Sequence, residues 1–416
     1  MTDLTRAVKL NKMQDDASTA WINSGGRGTL ELATGTGKTM TFFKCLYKAK
    51  EKKWIKKKDS VLFLAEVTDR EQTIRDDAAK FKQLFKLDVL SDFNFEFACY
   101  QTAYKWQSKH YKIVCGDEIH DSLSLKYSCF YQNNTYDYIV GLSATVDRKA
   151  KVNEDGSVLK GDLLDQYFPV CFQYTSEQAR TEGVLPPVNI YVIHNKLDST
   201  NPTVKAGSKL KPFMQTEAAA YAYKSKLFQQ AMFVRDLKLR EIKIRAASAS
   251  RAKLLYELPS KINSTKTLIR ELEALNLRNI IFGNSLAALH QVTANVVASK
   301  DDTGNAQTDV DNEIIKSDFA SGKINTVGSF KKLKQGANLP DLDCVVLMSY
   351  YSKEKDIVQR TGRLRFRENF VGNIIIFCTQ GTQEDKWYLD MMSGMDLSTV
   401  KHCYSVQDCI SLIKKP

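Results

Sequence analysis

Two glycines, a lysine and a threonine lie together near the start of the chain, in the segment LATGTGKT at residues 32–39. The segment follows an apolar stretch and opens a helical one. Gly35 and Gly37 leave the backbone bare, so N–H groups there can wrap a phosphate at the positive end of a helix. Lys38 would then reach the β- and γ-phosphates of ATP, and the Thr39 hydroxyl would bind Mg²⁺. For this segment alone, the alternative is a glycine turn at a helix start.

Two carboxylates follow an apolar run further along the chain. Residues 113–116 read IVCG, and Asp117 and Glu118 come directly after them. A carboxylate at the carboxyl end of a strand can hold Mg²⁺ opposite a phosphate loop, and the adjacent Glu118 can polarise an attacking water. The alternative is an acidic surface loop, which the phosphate-loop pattern upstream makes the weaker interpretation.

Short runs rich in Val and Ile must form the elements that position these residues. They lack strict polar alternation, which is typical of strands buried on both faces of a parallel sheet. Helical stretches separate the runs, so the pattern predicts two α/β domains. The runs are residues 61–64, 113–115 and 138–140 in the first part of the chain, and residues 280–282, 345–347 and 374–377 in the last part.

Composition favours an anionic partner. The 416 residues include 60 Lys and Arg against 48 Asp and Glu, a net charge of +12, which points to nucleic acid first and to a membrane surface second. The apolar share of 43% argues against wholesale disorder. No apolar run approaches the roughly 20 residues of a membrane-spanning helix. Nine Cys without a CxxC pair predict free thiols in a reducing compartment, here the cytoplasm, and argue against a zinc site or a disulfide framework.

A basic, helical stretch separates the two sets of apolar runs. Residues 214–256 carry no Gly or Pro, and Lys224–Lys253 holds nine basic residues against two acidic ones. We interpret this part as a candidate nucleic-acid clamp. The alternative is an exposed helix whose apolar residues dock on the core.

Taken in order, these segments resemble the superfamily 2 helicases over about residues 10–380. The resemblance implies two tandem RecA-like domains with parallel sheets, at residues 1–175 and 176–416, the second including the basic helical segment. The segment QRTGR at residues 359–363 resembles the family's sixth motif, whose Gln and Arg reach from the second domain to the γ-phosphate. The style of the motifs is closest to the UvsW-like, RadD-like and restriction-motor branch, which mostly acts on DNA.

The resemblance also implies roles for individual residues. The catalytic set is Lys38, Asp117, Glu118, Gln359 and Arg363. The ATP-binding set is Gln14, Thr34, Gly35, Thr36, Gly37, Lys38, Thr39 and Arg360, with Thr39 and Asp117 as the Mg²⁺ ligands. One departure is Phe366, which stands where the family usually has a second Arg, so that Arg363 is the expected finger and either Arg365 or Arg367 assists it.

Weaker matches fill the positions between the strong motifs. Ser143 and Thr145 lie in a GLSAT segment that resembles the third motif, which couples the nucleotide to the nucleic-acid groove. Each nucleic-acid match taken alone is also compatible with a plain strand-to-loop turn. The expected nucleic-acid contacts are Arg70, Tyr100, Gln101, Thr102, Asn284, Ser285 and Ser329.

The expected activity is that of a nucleic-acid-dependent ATPase, a DNA helicase or translocase that unwinds or remodels branches in replication, recombination or repair. Its cofactors would be ATP and Mg²⁺, and its partner single-stranded or branched DNA in preference to RNA. We expect a monomer that does not bind membranes, in a reducing cytoplasm, with a phage origin as one reading of its compact form. The alternatives are an RNA helicase, an ATP-gated nucleic-acid clamp, and the motor subunit of a restriction or repair complex.

Overall fold

The chain divides into two compact units, residues 1–186 with 366–370, and residues 187–365 with 371–416. The division between residues 186 and 187 falls eleven residues after the domain boundary that the sequence suggests at 175. The computed structural model describes residues 3–66, 70–123, 125–144, 146, 160–208, 210–298, 309–330, 342–350, 364, 367–368, 370–392 and 400–413.

The first unit is a six-stranded sheet flanked by helices. Its strands run in the order β3-β2-β4-β5-β1-β6, and every neighbouring pair is parallel. The strands are β1 (Arg27–Leu32), β2 (Ser60–Ala65), β3 (Asn94–Cys99), β4 (His110–Asp117), β5 (Thr135–Ser143) and β6 (Val170–Tyr174). The helices are α1 (Asp3–Asn23), α2 (Lys38–Glu51), α3 (Arg70–Phe85), α4 (Val89–Asp92), α5 (Tyr100–Ala103), α6 (Ile119–Ser122), α7 (Leu125–Asn133), α8 (Lys160–Tyr167) and α9 (Ser176–Thr181).

The apolar runs of the first unit are central strands, as their composition predicts. Residues 61–64 of β2 and 113–115 of β4 are buried, because helices cover both faces of the sheet. Helix α1 is fixed to this sheet through Trp21, which is fully buried and donates from Nε1 to the carbonyl of Ile139 at 2.9 Å. Gln14 lies seven residues earlier, on the same buried face of the helix.

The second unit is a seven-stranded parallel sheet with one inserted arm. The sheet order is β11-β12-β10-β13-β14-β7-β15. The strands are β7 (Val188–Asn195), β8 (Val204–Gly207), β9 (Pro212–Gln215), β10 (Asn279–Phe282), β11 (Val296–Val297), β12 (Thr326–Ser329), β13 (Cys344–Leu347), β14 (Gly372–Thr379) and β15 (Val400–Cys403). The helices are α10 (Glu217–Met232), α11 (Leu237–Tyr256), α12 (Pro259–Ala274), α13 (Leu286–Val292), α14 (Asp309–Ala320), α15 (Gln383–Met392) and α16 (Val406–Ile413).

The basic segment between the motif sets is a helical arm, which confirms the predicted helical insertion. We use this name for residues 204–256, the antiparallel β8–β9 hairpin followed by α10 and α11. The arm is anchored at Glu217, which is fully buried and accepts from the Asp198 amide at 3.0 Å and the Ser260 hydroxyl at 2.7 Å. Beyond this anchor the arm is mostly exposed.

Most of the nine cysteines lie in the interior of the protein. All nine cysteines are free, and six of them, Cys45, Cys115, Cys344, Cys378, Cys403 and Cys409, are at least 99% buried. Within the part of the chain that the structure describes, no helix has the length and apolar character needed to cross a bilayer. The same described residues contain no cluster of His, Cys, Asp and Glu arranged as a metal site.

Candidate active site

A glycine-containing loop connects β1 to α2 in the first unit. Gly35 and Gly37 have φ angles of 91° and 78°, in the left-handed region where residues with a Cβ are strained. The loop closes on itself, because the Thr36 hydroxyl donates to the Ala33 carbonyl at 2.7 Å. Helix α2 begins at Lys38, so the first N–H groups of this helix face the loop. The glycine-containing turn is therefore present, and its binding of a phosphate stays a prediction.

The side chain of Gln14 in α1 contacts this loop. Its side chain is 5% exposed, and its Nε2 donates to the Thr36 carbonyl at 3.1 Å. A Cβ on Gly37 would lie 2.6 Å from the same Nε2, so the glycine also makes room for this contact. Recognition of adenine by Gln14 stays a prediction. The hydroxyl Oγ1 of Thr34 is buried and has no hydrogen-bond partner among the described residues, which leaves it available to a ligand.

The two carboxylates lie at the same edge of the sheet as the loop. Asp117 is the last residue of β4, which lies between β2 and β5, and its side chain is buried. Glu118 has φ 48° and ψ 54°, a left-handed conformation that non-glycine residues rarely adopt outside functional or tight turns. This turn directs the Glu118 carboxylate toward the loop, where it accepts a hydrogen bond from Lys38 Nζ. Both side chains of the pair are nearly buried, at 10% and 13% exposure.

Asp117 is paired with an arginine from the start of α3. Arg70 Nε donates to Asp117 Oδ2 at 2.7 Å, and Arg70 Nη2 lies 3.4 Å from Thr39 Oγ1. Burial alone would raise the pKa of Asp117, but the nearby Arg70 and Lys38 charges outweigh it and hold that pKa below its ordinary value. The Asp117 charge in turn raises the pKa of Arg70. The sequence assigns Arg70 to nucleic-acid contact, whereas its guanidinium lies between Asp117, whose carboxylate compensates its charge, and the Thr39 hydroxyl.

Tyr100 also differs from its expected position. Its side chain is buried, and its hydroxyl is already occupied, because it donates to the Asp117 backbone carbonyl at 2.7 Å. Burial raises the pKa of this hydroxyl well above its ordinary value, which keeps it a donor at all physiological pH. Tyr100 therefore positions the carboxyl end of β4. The neighbouring Gln101 and Thr102 are exposed, and their contact with nucleic acid stays a prediction.

The donor set at this edge fits a hydrated Mg²⁺. Thr39 Oγ1 and the Asp117 carboxylate are hard oxygen ligands, the type that Mg²⁺ binds together with waters and phosphate oxygens. Asp117 Oδ1 is buried and has no hydrogen-bond partner among the described residues. One carboxylate oxygen is thus held by Arg70, and the other is open to a ligand.

The third-motif serine lies one strand away from the acidic pair. Ser143 ends β5 and is fully buried, and the parallel register places Leu142 opposite Asp117. Ser143 is therefore one residue further along the same edge. Thr145 lies outside the described residues, and the coupling role of both residues stays a prediction.

In the second unit, three predicted contact residues also share one sheet edge. Asn284 and Ser285 follow β10, Ser329 ends β12, and Phe282 is in register with Ser329. Asn284 donates from its backbone N–H to the Ser349 hydroxyl at 2.6 Å. Among the described residues, Asn284 Nδ2 and Ser329 Oγ are buried without a hydrogen-bond partner.

Ser285 has a structural task in this unit. Its hydroxyl caps the start of α13 by accepting from the Ala288 amide at 3.3 Å, and it donates to Glu257 at 2.9 Å. Both contacts are internal, so the side chain is already occupied. Serine is a residue type that commonly caps helices, and its position directly before the apolar segment LAAL is a local signal that could have indicated this task.

The predicted sixth motif is mostly undescribed. Gln359, Arg360, Arg363 and Arg365 lie outside the described residues, and their contacts with the γ-phosphate stay predictions. Arg367 is described, and its guanidinium lies 3.8 Å from the centre of the Phe370 ring. Such stacking gives Arg367 a packing contact within its own turn.

The fold of these units is shared by proteins whose structures were solved with nucleic acid bound. The chain is similar to the ATP-dependent Type ISP restriction-modification enzyme LlaBIII bound to DNA, with a TM-score of 0.59 and 16% identity over 97% of this chain and 31% of that chain. It is also similar to Dbp5 from S. cerevisiae bound to RNA and ADP BeF3, with a TM-score of 0.57 and 12% identity over 97% of this chain and 93% of that chain. This chain thus spans about a third of the length of LlaBIII. No curated protein sequence matches the chain significantly.

The N-terminal part of the sequence matches one protein family. Residues 7–148 match the family described as the res subunit of type III restriction enzymes, and this match includes the phosphate loop, Asp117 and Glu118. The match covers about a third of the chain, and the two α/β units with parallel sheets have the fold of two RecA-like domains.

Proposed function

We propose that the chain is an ATP-driven DNA translocase or helicase. The observation that carries the proposal is the grouping of Lys38, Thr39, Asp117 and Glu118 around one phosphate cradle. Four groups of these types at one edge of a parallel sheet can bind a triphosphate, hold its metal and activate a water. The superfamily supports nucleic-acid-dependent motor activity, and DNA as the track is our more specific proposal.

The residues of the first unit would divide the work of hydrolysis. Lys38 would exchange Glu118 for the β- and γ-phosphates, which are stronger anions and arrive with their own metal. Glu118, released from this pair, would accept a proton from the attacking water. Mg²⁺ held at Thr39 and Asp117 would neutralise charge that develops on the phosphate oxygens. Tyr100 would keep the carboxyl end of β4 in register with the loop during this exchange.

Residues of the second unit would complete the site. Gln359, Arg360 and Arg363 are proposed to bind the γ-phosphate, because the resemblance assigns them that role and a guanidinium is the side chain suited to it. An arginine in this role contributes about 10³–10⁵ in rate in related phosphoryl-transfer enzymes. Contacts made only with the triphosphate are lost after hydrolysis, and this loss would drive each conformational step.

Nucleic acid would bind through neutral and basic groups. Asn284 Nδ2 and Ser329 Oγ have no hydrogen-bond partner in the part of the chain that the structure describes, and they are of the type that contacts a phosphodiester backbone. The helical arm adds a sequence-independent attraction, because most of its cations are exposed while few acids accompany them. Its exposed cations are Lys205, Lys211, Lys226, Arg235, Lys238, Lys243, Arg245 and Lys253.

DNA is favoured over RNA by two observations. The matching family is a restriction-enzyme subunit, and LlaBIII, which shares the fold, was solved bound to DNA. Dbp5 shares the same fold and was solved bound to RNA, so the fold alone does not distinguish a DNA-binding protein from an RNA-binding one. DNA in our proposal therefore rests on the family match and on the style of the motifs.

A second candidate function is the motor subunit of a restriction complex. The family match to a res subunit favours it, as does the position of this fold within a larger restriction-modification enzyme, of which the chain covers 31%. The purified chain would then hydrolyse ATP on DNA and lack strand separation on its own.

Substitution of the loop lysine tests the proposal. We expect Lys38→Ala to abolish ATP hydrolysis and to leave most of the nucleic-acid affinity, which should come from phosphate contacts elsewhere. Lys52→Ala, at the exposed C-terminal end of the same helix, is the matched control and should behave as the wild type. The assays are ATPase rate and strand displacement on single-stranded DNA, duplex, fork, four-way junction and RNA. An active Lys38→Ala protein would refute the proposal, and hydrolysis without displacement would favour the second candidate.

A further inference from the structure

Arg70 lies on the two groups that would hold the metal. Its guanidinium donates to Asp117 Oδ2 at 2.7 Å and lies 3.4 Å from Thr39 Oγ1. Its side chain is 17% exposed, and that of Asp117 is 6% exposed, so the pair is largely removed from water. A permanent cation therefore bridges the same two side chains to which the proposed function assigns Mg²⁺.

The bridge has an electrostatic cause. Asp117 and Glu118 are adjacent, nearly buried carboxylates, and leaving either charge without a partner there would be costly. Lys38 pairs with Glu118 and Arg70 pairs with Asp117, so each acid has its own cation. Arg70 cannot avoid the metal by losing its proton, because a guanidinium stays charged in proteins. A second cation at Asp117 would repel it, so Arg70 on Oδ2 and Mg²⁺ on the open Oδ1 would each weaken the binding of the other.

We propose that Arg70 is an internal cation that holds the metal-binding side chains in the nucleotide-free protein and competes with Mg²⁺ for them. This inference rests on the proposed function, since it concerns the metal of that site. Arg70 is a positioning residue in this scheme: it keeps Asp117 charged and oriented, and its own charge opposes the binding of a metal ion beside it. The competition lowers the affinity of the empty site for Mg²⁺ and sets how much metal the enzyme needs to load a nucleotide.

The test compares two arginines of the same helix. Arg70→Gln removes the bridging cation and keeps a polar side chain. Arg75→Gln is the matched control, because Arg75 is half exposed and pairs with Glu71 on the surface of α3, away from Asp117. Titration calorimetry measures ADP binding at a series of Mg²⁺ concentrations and in EDTA, and thermal unfolding shows that each variant is folded.

If Arg70 competes with the metal, the Arg70→Gln variant should bind ADP at lower Mg²⁺ concentrations than the wild type. In Arg70→Gln the Mg²⁺ concentration that gives half of the maximal ADP affinity should fall about five- to tenfold, within the usual range of coupling between two ligands. ADP affinity in EDTA should change less than twofold, and Arg75→Gln should match the wild type. A purely structural role for Arg70 would weaken binding with and without metal alike.

Other outcomes overturn the inference. An unchanged or increased Mg²⁺ requirement in Arg70→Gln would show that the guanidinium does not compete with the metal. If Arg70→Gln does not fold, Arg70→Lys replaces it, and its shorter, single-point cation should shift the requirement in the same direction by a smaller factor. Failure of the wild type to bind ADP at any Mg²⁺ concentration would instead reject the proposed function, so the two failures are distinguishable.

Discussion

The carboxyl edges of the two sheets share an architecture but carry different chemistry. In both units the first strand lies between the last two strands, as β1 does between β5 and β6 and β7 between β14 and β15. The edge of the first sheet holds charged groups in pairs, Lys38 with Glu118 and Arg70 with Asp117. The edge of the second sheet presents neutral groups of Asn284 and Ser329. One scaffold thus carries charged pairs at the edge proposed to bind a triphosphate and neutral groups at the edge proposed to bind a nucleic-acid backbone.

The backbone conformations at the two sheet edges also differ. In the first unit, left-handed residues at Gly35, Gly37 and Glu118 turn the chain sharply and direct N–H groups and a carboxylate toward one point. In the second unit, Ser285 caps a helix after β10 in an ordinary extended conformation. Strained turns are thus found where the proposed reaction occurs and not at the three predicted contacts of the second sheet.

The largest effect expected at the charged edge is on hydrolysis. Glu118→Gln removes the proposed base and keeps the shape of the side chain, so ATPase activity should fall by about 10²–10⁴. Affinity for Mg²⁺·ATP should be kept or increased, because Lys38 loses its charged partner and is freed for phosphate. Glu51→Gln, an exposed position at the end of α2, is the control. Retention of the wild-type ATPase rate in Glu118→Gln would contradict the proposal that the charged edge of the first sheet carries the catalytic base.

A smaller effect is expected from the support of that edge. Tyr100→Phe leaves the buried Asp117 carbonyl without its donor, which should lower the free energy of unfolding by about 1–3 kcal/mol. Because Asp117 loses its positioning, the maximal ATPase rate should fall more than the affinity for nucleic acid. Chemical denaturation and steady-state kinetics measure the two quantities, with Tyr104→Phe as the control. A variant that loses nucleic-acid affinity alone would return Tyr100 to the strand-contact role that the sequence suggests.

The smallest effect is expected at the neutral edge. The double variant Asn284→Ala with Ser329→Ala removes two hydrogen-bonding groups, each contributing about 1 kcal/mol, so DNA affinity should fall about tenfold or more. ATP affinity should be unchanged, in contrast to the charged edge. Ser285→Ala serves as a comparison, because its lost helix cap should lower stability by about 1 kcal/mol with little change in DNA affinity. Fluorescence anisotropy checks the affinities, and an effect on ATP affinity alone would contradict the assignment.

Local patterns in the sequence predicted the parts of the site that depend on neighbouring residues. The cradle around Gly35 and Gly37, and the end of β4 at Asp117, follow from glycine spacing and from apolar runs that end in polar residues. The helical insertion also followed from its lack of Gly and Pro. These features need only a few consecutive residues to be specified.

Contacts over long sequence separations were not predictable in the same way. Arg70 meets Asp117 across 47 positions, and Tyr100 meets the Asp117 carbonyl across 17. Tyr100 directly follows β3 and Arg70 begins α3, where each resembles a surface residue in the sequence. Only the order of strands in the sheet shows that they turn inward. The contact of Gln14 with the Thr36 carbonyl likewise depends on how α1 docks on the sheet.

The most direct test of the central claim is the steady-state ATPase rate of the wild-type chain, with Mg²⁺, in the absence and presence of single-stranded DNA. We expect measurable ATP hydrolysis that DNA stimulates and that the Lys38→Ala substitution eliminates. Hydrolysis that is absent under all conditions, or that persists unchanged in Lys38→Ala, would contradict a triphosphate site built from Lys38, Asp117 and Glu118.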